Sequence, residues 1–455
     1  MRNQKKNVAR TKVSRREILS AGAAVAAFTI VPRHVLAGSG QQAPSDKLNI
    51  GSIGCGGMQG GQDIDGVSSE NIYALCDVDE RQGGAKFVQY PNAKLYKDFR
   101  KMVDREQSNL DAVTVTIPDH NHTQAVVWAM ERGLGVYCQK PLTKYVWEAR
   151  LIRKAQEKYN VPTQMGNQGY SAEATRLACE IIWNGDLGDI TEVHSRQGSR
   201  GPGFGQRLEQ WPAPETIPAE LNWDLWLGCS SSGRTYTSRV LPNTWRGFVD
   251  FGSGILGDWG FHNMGPANWG LRLGSPISVQ CLSVEGLDSI NWSDHDVIKW
   301  DFPARGEMPP VSVYWHHGGS GLPIPPGLTG DDIRSFNQVF YGSKGYMGTS
   351  GRGEAIDLIP ASRRESYVKP PQVLPRSPGH YAEWIQSCKS GEPASSNFSI
   401  AGLWAEWITL GNLSLHFPGE TLMWDPENLR ITNNDKANEY IRPDYLKGWE
   451  LSDIT

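Results

Sequence analysis

The sequence predicts an α/β protein in two parts: a doubly wound parallel sheet, then a second α/β domain built on an open, mainly antiparallel sheet. Three observations carry that expectation. Strand and helix patterns alternate from residue 48 to residue 159, a glycine-rich turn follows the first strand, and apolar stretches of strand length recur from residue 276 onward. With 455 residues the chain exceeds what one hydrophobic core ordinarily organises.

The first part, over 47–168, is expected to hold strands at 48–53, 72–76, 112–117 and 135–138. Apolar residues at helical spacing predict helices over 123–132, with Gly133 placed to stop it, and over 145–159. The second part, over 169–455, begins with a helix at 172–183 and a strand at 190–197. A Gly/Pro-rich stretch follows at 198–218. Strands are expected at 276–285, 297–302 and 311–315, a Gly/Pro loop at 318–330, and helices at 380–389 and 400–416 that pack back on the core.

The first 37 residues carry eight Lys or Arg (Arg2, Lys5, Lys6, Arg10, Lys12, Arg15, Arg16, Arg33) against one acid, Glu17. Ser14-Arg15-Arg16-Glu17-Ile18-Leu19 precedes an apolar run over 18–31, and Val35-Leu36-Ala37 offers a cleavage site, the pattern of a twin-arginine export signal. A basic tail or a short membrane anchor is the alternative, but the run is short and rich in Ala and Gly for a span. Cleavage would leave a periplasmic protein with no stable membrane span, beginning at a linker over 38–46. The net charge is −4, and removal of this basic segment makes it more negative still. Such a surface lacks the basic footprint that neutralises phosphates, so nucleic acid is excluded as a partner. Seven scattered cysteines without a C-x-x-C pair indicate neither a zinc ribbon nor a disulfide framework.

Glycines in a strand-to-helix turn let backbone N–H groups approach a pyrophosphate with no Cβ in the way. Gly54-Cys55-Gly56-Gly57-Met58-Gln59-Gly60 fits, with Gln59 at the third position and Gly60 one place late. Asp77 ends the second strand about 20 residues on, where a carboxylate accepts both ribose hydroxyls and repels a 2′-phosphate. NAD is therefore favoured over NADP, although Asp77 also fits a helix cap in Asp77-Val78-Asp79-Glu80. Lys140 follows the strand at 135–138. Alone it reads as a surface charge, but beside a nicotinamide its ammonium would stabilise the negative charge that develops on an alcohol oxygen. His120 and His122 have no third ligand at useful spacing, so no metal is expected. Asp258 and His262, four residues apart, would lie one above the other on a helix, and His is suited to take a hydroxyl proton near neutral pH.

Together these residues resemble the Gfo/Idh/MocA family of oxidoreductases, over about residues 48–449. The carriers are the glycine-rich turn, Leu75-Cys76-Asp77-Val78-Asp79, Pro118-Asp119-His120-Asn121-His122, Lys140-Pro141-Leu142-Thr143, Gly166-Asn167-Gln168-Gly169, Gly257-Asp258-Trp259-Gly260-Phe261-His262 and Trp424-Asp425. The resemblance implies a Rossmann domain, then an α/β domain whose open sheet often makes homo-oligomers. It implies NAD contacted by Gly54, Gly56, Gly57, Met58, Asp77, Pro118, Asp119, His122, Gln139 and Lys140, and catalysis by Lys140, Asp258 and His262. Tyr170, Trp245, Arg246 and Trp259 are the expected substrate contacts; flat Trp faces suit pyranose C–H faces. Trp245-Arg246 resembles an exported branch of carbohydrate-degrading bacteria.

Three positions depart from the family pattern. Gln139 stands where E-K-P usually has Glu, Gly265 where an acid often follows the histidine by three, and Tyr170 where close relatives often carry His. Loss of a carboxylate at 139 is expected to lower the Lys140 pKa, so that Gln139→Glu would move the alkaline limb of the pH–rate profile upward. The expected function is an NAD-dependent oxidoreductase acting on a secondary alcohol of a sugar, glycoside or polyol. One alternative is a glycosidase or lyase working by transient oxidation and elimination. Another is a non-catalytic sugar-binding relict, which the retained Lys140, Asp258 and His262 argue against.

Overall fold

The computed structural model describes residues 46–198, 201–319 and 321–454; the segment over 1–37 expected to be an export signal and most of the expected linker lie outside them. The first sheet has six parallel strands: β1 (Asn49–Ile53), β2 (Asn71–Cys76), β3 (Lys94–Tyr96), β4 (Ala112–Val115), β5 (Gly135–Cys138) and β6 (Thr163–Met165). Their order is β3-β2-β1-β4-β5-β6. Every residue of β4 and β5 is buried, as central strands covered by helices on both faces require. The covering helices are α1 (Gly57–Gly66), α2 (Glu80–Gln89), α3 (Phe99–Glu106), α4 (His122–Met130) and α5 (Val146–Tyr159). Strand order reverses between β1 and β4, so the chain leaves the carboxyl ends of β1, β4 and β5 at one crevice. Sheets of this kind bind ligands at that switch point.

The strand expected at 112–117 stops at Val115, because the next residues turn into a 3-10 turn over Asp119–Asn121. Strands β3 and β6, three residues each, are too short to leave a periodic signal in the sequence. Gly133 adopts φ +74 beyond α4, a left-handed conformation that ends the helix.

Helix α6 (Glu173–Trp183) leads into the second sheet of nine strands, ordered β13-β12-β11-β7-β10-β9-β8-β14-β15. These are β7 (Ile190–Gln197), β8 (Ser278–Glu285), β9 (His295–Phe302), β10 (Val311–His317), β11 (Gln338–Gly342), β12 (Gly345–Ser350), β13 (Ala355–Ile359), β14 (Thr421–Asp425) and β15 (Arg430–Ile431). The β7–β10 pair is parallel and the other pairs are antiparallel. Strands β11 and β12 carry Gly342, Gly345 and Gly348, and so lack the apolar alternation by which β7 to β10 were legible.

Between β7 and β8 lie helices α7 (Gly254–Asn263) and α8 (Gly265–Gly270); near the chain end lie α9 (His380–Ser390) and α10 (Phe398–Ser414). On α10, Trp407 meets Trp300 of β9 at 5.2 Å between ring centroids, edge to face. Glu406 on the same helix, its side chain 1% exposed, accepts two 2.9 Å hydrogen bonds from Arg150 of α5. Arg153 stands 3.5 Å from the same carboxylate. One helix thus binds the second sheet to the first. Glu406→Ala strips the carboxylate from two guanidinium groups that are about four-fifths covered, and is expected to cost roughly 2–4 kcal/mol. Chemical denaturation of the two proteins checks this; a loss below about 0.5 kcal/mol would mean the pair does not tie the sheets.

Candidate active site

The glycine-rich turn ends β1 and opens α1. Gly54 sits at φ +84, and a Cβ there would collide with the Thr116 carbonyl of the neighbouring strand end. Gly60, one place later than the usual third glycine, does the close packing: a Cβ there would lie 2.9 Å from the Gly54 carbonyl oxygen. The N-cap residue of α1 is Gly56, which supplies no side-chain cap, and Gly54, Gly56, Gly57, Gln59 and Gly60 all line one cleft. Uncapped N–H groups at a helix start facing a cleft are what a pyrophosphate requires. The residues present therefore fit a dinucleotide.

Asp77 lines the same cleft, but its carboxylate has a second duty. Oδ2 accepts from the Cys55 and Gly56 amides and Oδ1 from the Asp79 amide, each at 2.9 Å. It thus holds the glycine turn in shape. The helix cap considered for Asp77 belongs to Asp79, which accepts from Arg81 N at 3.1 Å at the start of α2.

Lys140 leaves the end of β5 into a cis peptide bond with Pro141. Its ammonium donates to Asp258 Oδ1 of α7 at 2.6 Å, and Arg246 Nε lies 3.7 Å from the same oxygen. Burial opposes ionisation of Asp258, but the charges of Lys140 and Arg246 outweigh it and hold the carboxyl below its ordinary range. Asp119, on the turn after β4, is pushed up to about 7 by burial, against the pull of Arg246. His262, one helical turn beyond Asp258, lines the cleft with its ring edge-on to Trp259 at 5.6 Å. Burial, then the nearby charge of Lys140, pushes its pKa well below that of a free imidazole, so it is neutral at pH 7. Asp258 faces Lys140, and no hydrogen bond joins it to His262; the four-residue spacing leaves Asp258 paired with Lys140 and the His262 ring against Trp259.

The cleft, about 680 Å³, gathers Gly54, Gly56, Gly57, Asp77, Pro118, Asp119, Gln139, Lys140, Trp245, Arg246, Asp258, Trp259 and His262 in one place. Met58 lies in the first turn of α1. Two expected contacts are elsewhere. Tyr170 is 1% exposed in the core, stacked on Trp269 at 4.9 Å and on Trp404 at 5.3 Å, with its hydroxyl accepting from Asn268 at 2.6 Å. His122 turns away from the cleft: its ring nitrogens lie 2.7 Å from the carbonyl oxygens of Ile117 and Pro141, tying the ends of β4 and β5 together. Arg352, Asn243 and Thr244 line the cleft without having been foreseen.

Gln139 is explained by a residue far from it in sequence. Its amide nitrogen donates to both oxygens of Asp63 at 3.0 Å, and Asp63 also accepts from Gln59 at 3.0 Å, Thr116 at 2.7 Å and Tyr381 of α9 at 2.7 Å. Burial raises the Asp63 pKa against these four donors. A buried carboxylate thus stands opposite position 139, at Asp63, and the amide at 139 donates to it. The alkaline-limb expectation for Gln139→Glu falls with that geometry, because the new acid would face Asp63.

Fold and site together define a dinucleotide-binding Rossmann protein whose second α/β domain supplies half of its cleft. Residues 48–167 match the description "Oxidoreductase family, NAD-binding Rossmann fold", and residues 206–288 match "Oxidoreductase family, C-terminal alpha/beta domain". Over these two segments the chain matches the Gfo/Idh/MocA family of oxidoreductases. It is 26% identical over 172 residues to inositol 2-dehydrogenase of Corynebacterium glutamicum, covering 36% of this chain and 49% of that protein. To D-apiose dehydrogenase of Paraburkholderia graminis it is 32% identical over 141 residues, covering 30% of this chain and 36% of the relative. The matched segments thus span half or less of these two relatives. Among solved structures, the WlbA dehydrogenase of Bordetella pertussis, in complex with NADH and UDP-GlcNAcA, shares the fold with a TM-score of 0.56 at 17% identity, over 83% of this chain and 99% of that one. The aldose-aldose oxidoreductase of Caulobacter crescentus does so at 0.55 and 15% identity, over 83% and 100%.

Gln139→Glu is expected to put two carboxylates at 3.0 Å in a buried site. One must keep a proton, so its folded pKa lies above its unfolded value, and the stability deficit grows as pH rises from about 5 to about 8. Asp63→Asn combined with Gln139→Glu restores an amide–carboxylate pair and should recover at least half of a loss of roughly 1–3 kcal/mol. Melting of the single and double variants across that range tests it; a double variant no better than the single would disprove the exchange.

Proposed function

We propose that the protein is an NAD-dependent oxidoreductase that moves hydride between a secondary alcohol of a sugar, glycoside or polyol and a tightly held nicotinamide. The observation that carries this reading is the Lys140–Asp258 ion pair at 2.6 Å, set in the same cleft as the uncapped start of α1. Relatives named inositol 2-dehydrogenase and D-apiose dehydrogenase support the substrate class. NAD, when bound, supplies the carbon that accepts or returns hydride. Lys140 directs an N–H at the alcohol oxygen and stabilises the charge that develops as the carbonyl forms. Asp258 holds that ammonium in place. His262, neutral and with no hydrogen-bond partner on Nδ1, takes the hydroxyl proton. Trp245 and Trp259 wall the reacting end and limit water.

The pH dependence follows from the lowered His262 pKa. The base is unprotonated above that value, so the acid limb of kcat/KM for alcohol oxidation should fall below about pH 6.5. His262→Asn is expected to lower kcat by about 10²–10⁴-fold and to remove that limb. The test is a panel of sugars and polyols added to protein shown by native mass spectrometry to hold NAD, with reduced nicotinamide and solvent-deuterium uptake read together. Stoichiometric reduction without exchange is the expected result. Deuterium entering the carbon beside the oxidised centre with no net NADH would point instead to elimination after transient oxidation. Neither signal, from loaded protein, would sink the oxidoreductase reading.

A further inference from the structure

We propose that the cleft selects an anionic sugar, one bearing a carboxylate such as a uronide, and that Arg352 with Arg246 forms the site for that carboxylate. The proposal rests on the oxidoreductase reading and names its substrate class.

The motive is an imbalance of charge at the reacting end. Three cations line it, Lys140, Arg246 and Arg352, against two acids, Asp119 and Asp258. Lys140 and Asp258 satisfy one another at 2.6 Å. Arg246 reaches the same Asp258 oxygen only at 3.7 Å, as a second cation on a carboxylate already engaged. Its guanidinium lies 4.3 Å above the Trp245 ring, and its one hydrogen bond goes to the Asn243 carbonyl at 3.2 Å. Arg352 has no carboxylate partner among the described residues; its one side-chain hydrogen bond is a 3.5 Å contact to Gln168 Oε1. Asp119 adds little compensation, because burial pushes its pKa up to about 7 and leaves much of it protonated at neutral pH.

The backbone that carries Arg352 is also held where it stands. It occupies the turn between β12 and β13, flanked by Gly351 at φ +64 and Gly353 at φ +79. Its carbonyl is seated so closely on Gly169 that a Cβ there would collide with it. Both arginines line the cleft beside Lys140, Asp258 and His262, at the end where the alcohol would bind, and the charges of both help hold the Asp258 carboxyl low. Oxidised nicotinamide adds a further positive charge in the state that receives the alcohol. A neutral sugar would leave this excess uncompensated, whereas a carboxylate offers a guanidinium fork two parallel hydrogen bonds in a partly desolvated site.

The test is calorimetric binding to the NAD-loaded full chain of two matched pairs: methyl glucoside against methyl glucuronide, and methyl galactoside against methyl galacturonide. At least one uronide is expected to bind about tenfold or more tightly than its neutral partner, a preference that weakens as salt is added. Arg352→Gln should erase most of that preference while leaving affinity for NAD and the melting temperature in place. Arg352→Lys, which keeps charge without the fork, should keep part of it. Equal affinities within both pairs, no binding of either uronide at millimolar concentration, or an Arg352→Gln loss shared equally by neutral and anionic partners would overturn the proposal. Failure of the wild-type chain to bind NAD at all would instead remove the oxidoreductase reading beneath it.

Discussion

An ammonium and a carboxylate 2.6 Å apart, each side chain about 15% exposed, join the end of β5 to the helix that carries His262. Taking two such charges out of water is costly, and only close geometry with further charge partners offsets it. The surrounding structure supplies both. Asn412 of α10 donates to the Ser253 carbonyl at the start of α7, fixing the helix that presents Asp258. The Gln139–Asp63 pair fixes the residue before Lys140 against α1, and His122 holds the carbonyl of the residue after it. The ion pair is the point at which two sheets, separated in sequence, must agree.

The same agreement links the cofactor end of the cleft to the end proposed for the chemistry. Helix α1, whose N-terminus faces the phosphate position, carries Asp63 on its buried side, and Asp63 reaches the strand end that delivers Lys140. The glycine turn is shaped from its other flank by Asp77, through two backbone amides. Both acids hold backbone and amide groups, leaving Lys140, His262, Arg246 and Arg352 to line the cleft in the roles proposed for them.

Much of this was legible because the relevant chemistry is written locally at strand ends. Gly54 and Lys140 each follow a strand whose apolar run is plain, and the switch point brings those strand ends together by topology; Asp258 stands on a helix buried nearly all round, where its spacing from His262, not a period, marked it. Contacts that depend on packing between distant segments were not legible. Gln139 looked like a lost charge until its partner, the Asp63 carboxylate 76 residues away, was seen. Tyr170 looked like a substrate contact because nothing near it in sequence announces Trp269 and Trp404 as its stacking partners. Arg352 arrives from a glycine-flanked turn of the weakly patterned β12–β13 hairpin, so neither period nor motif marks it. Strand β3 escaped for the simpler reason that three residues show no period.

If Lys140 and Asp258 act as one unit, their losses must not multiply. The direct measurement is a double-mutant cycle on single-turnover nicotinamide reduction, with Lys140→Met, Asp258→Asn and the combined variant all saturated with NAD. The prediction is that the double variant is no more than about threefold slower than the worse single variant, because each substitution already disables the pair. Rate losses that multiply to the product of the two singles would contradict it, and would show that the ammonium and the carboxylate serve the reaction independently.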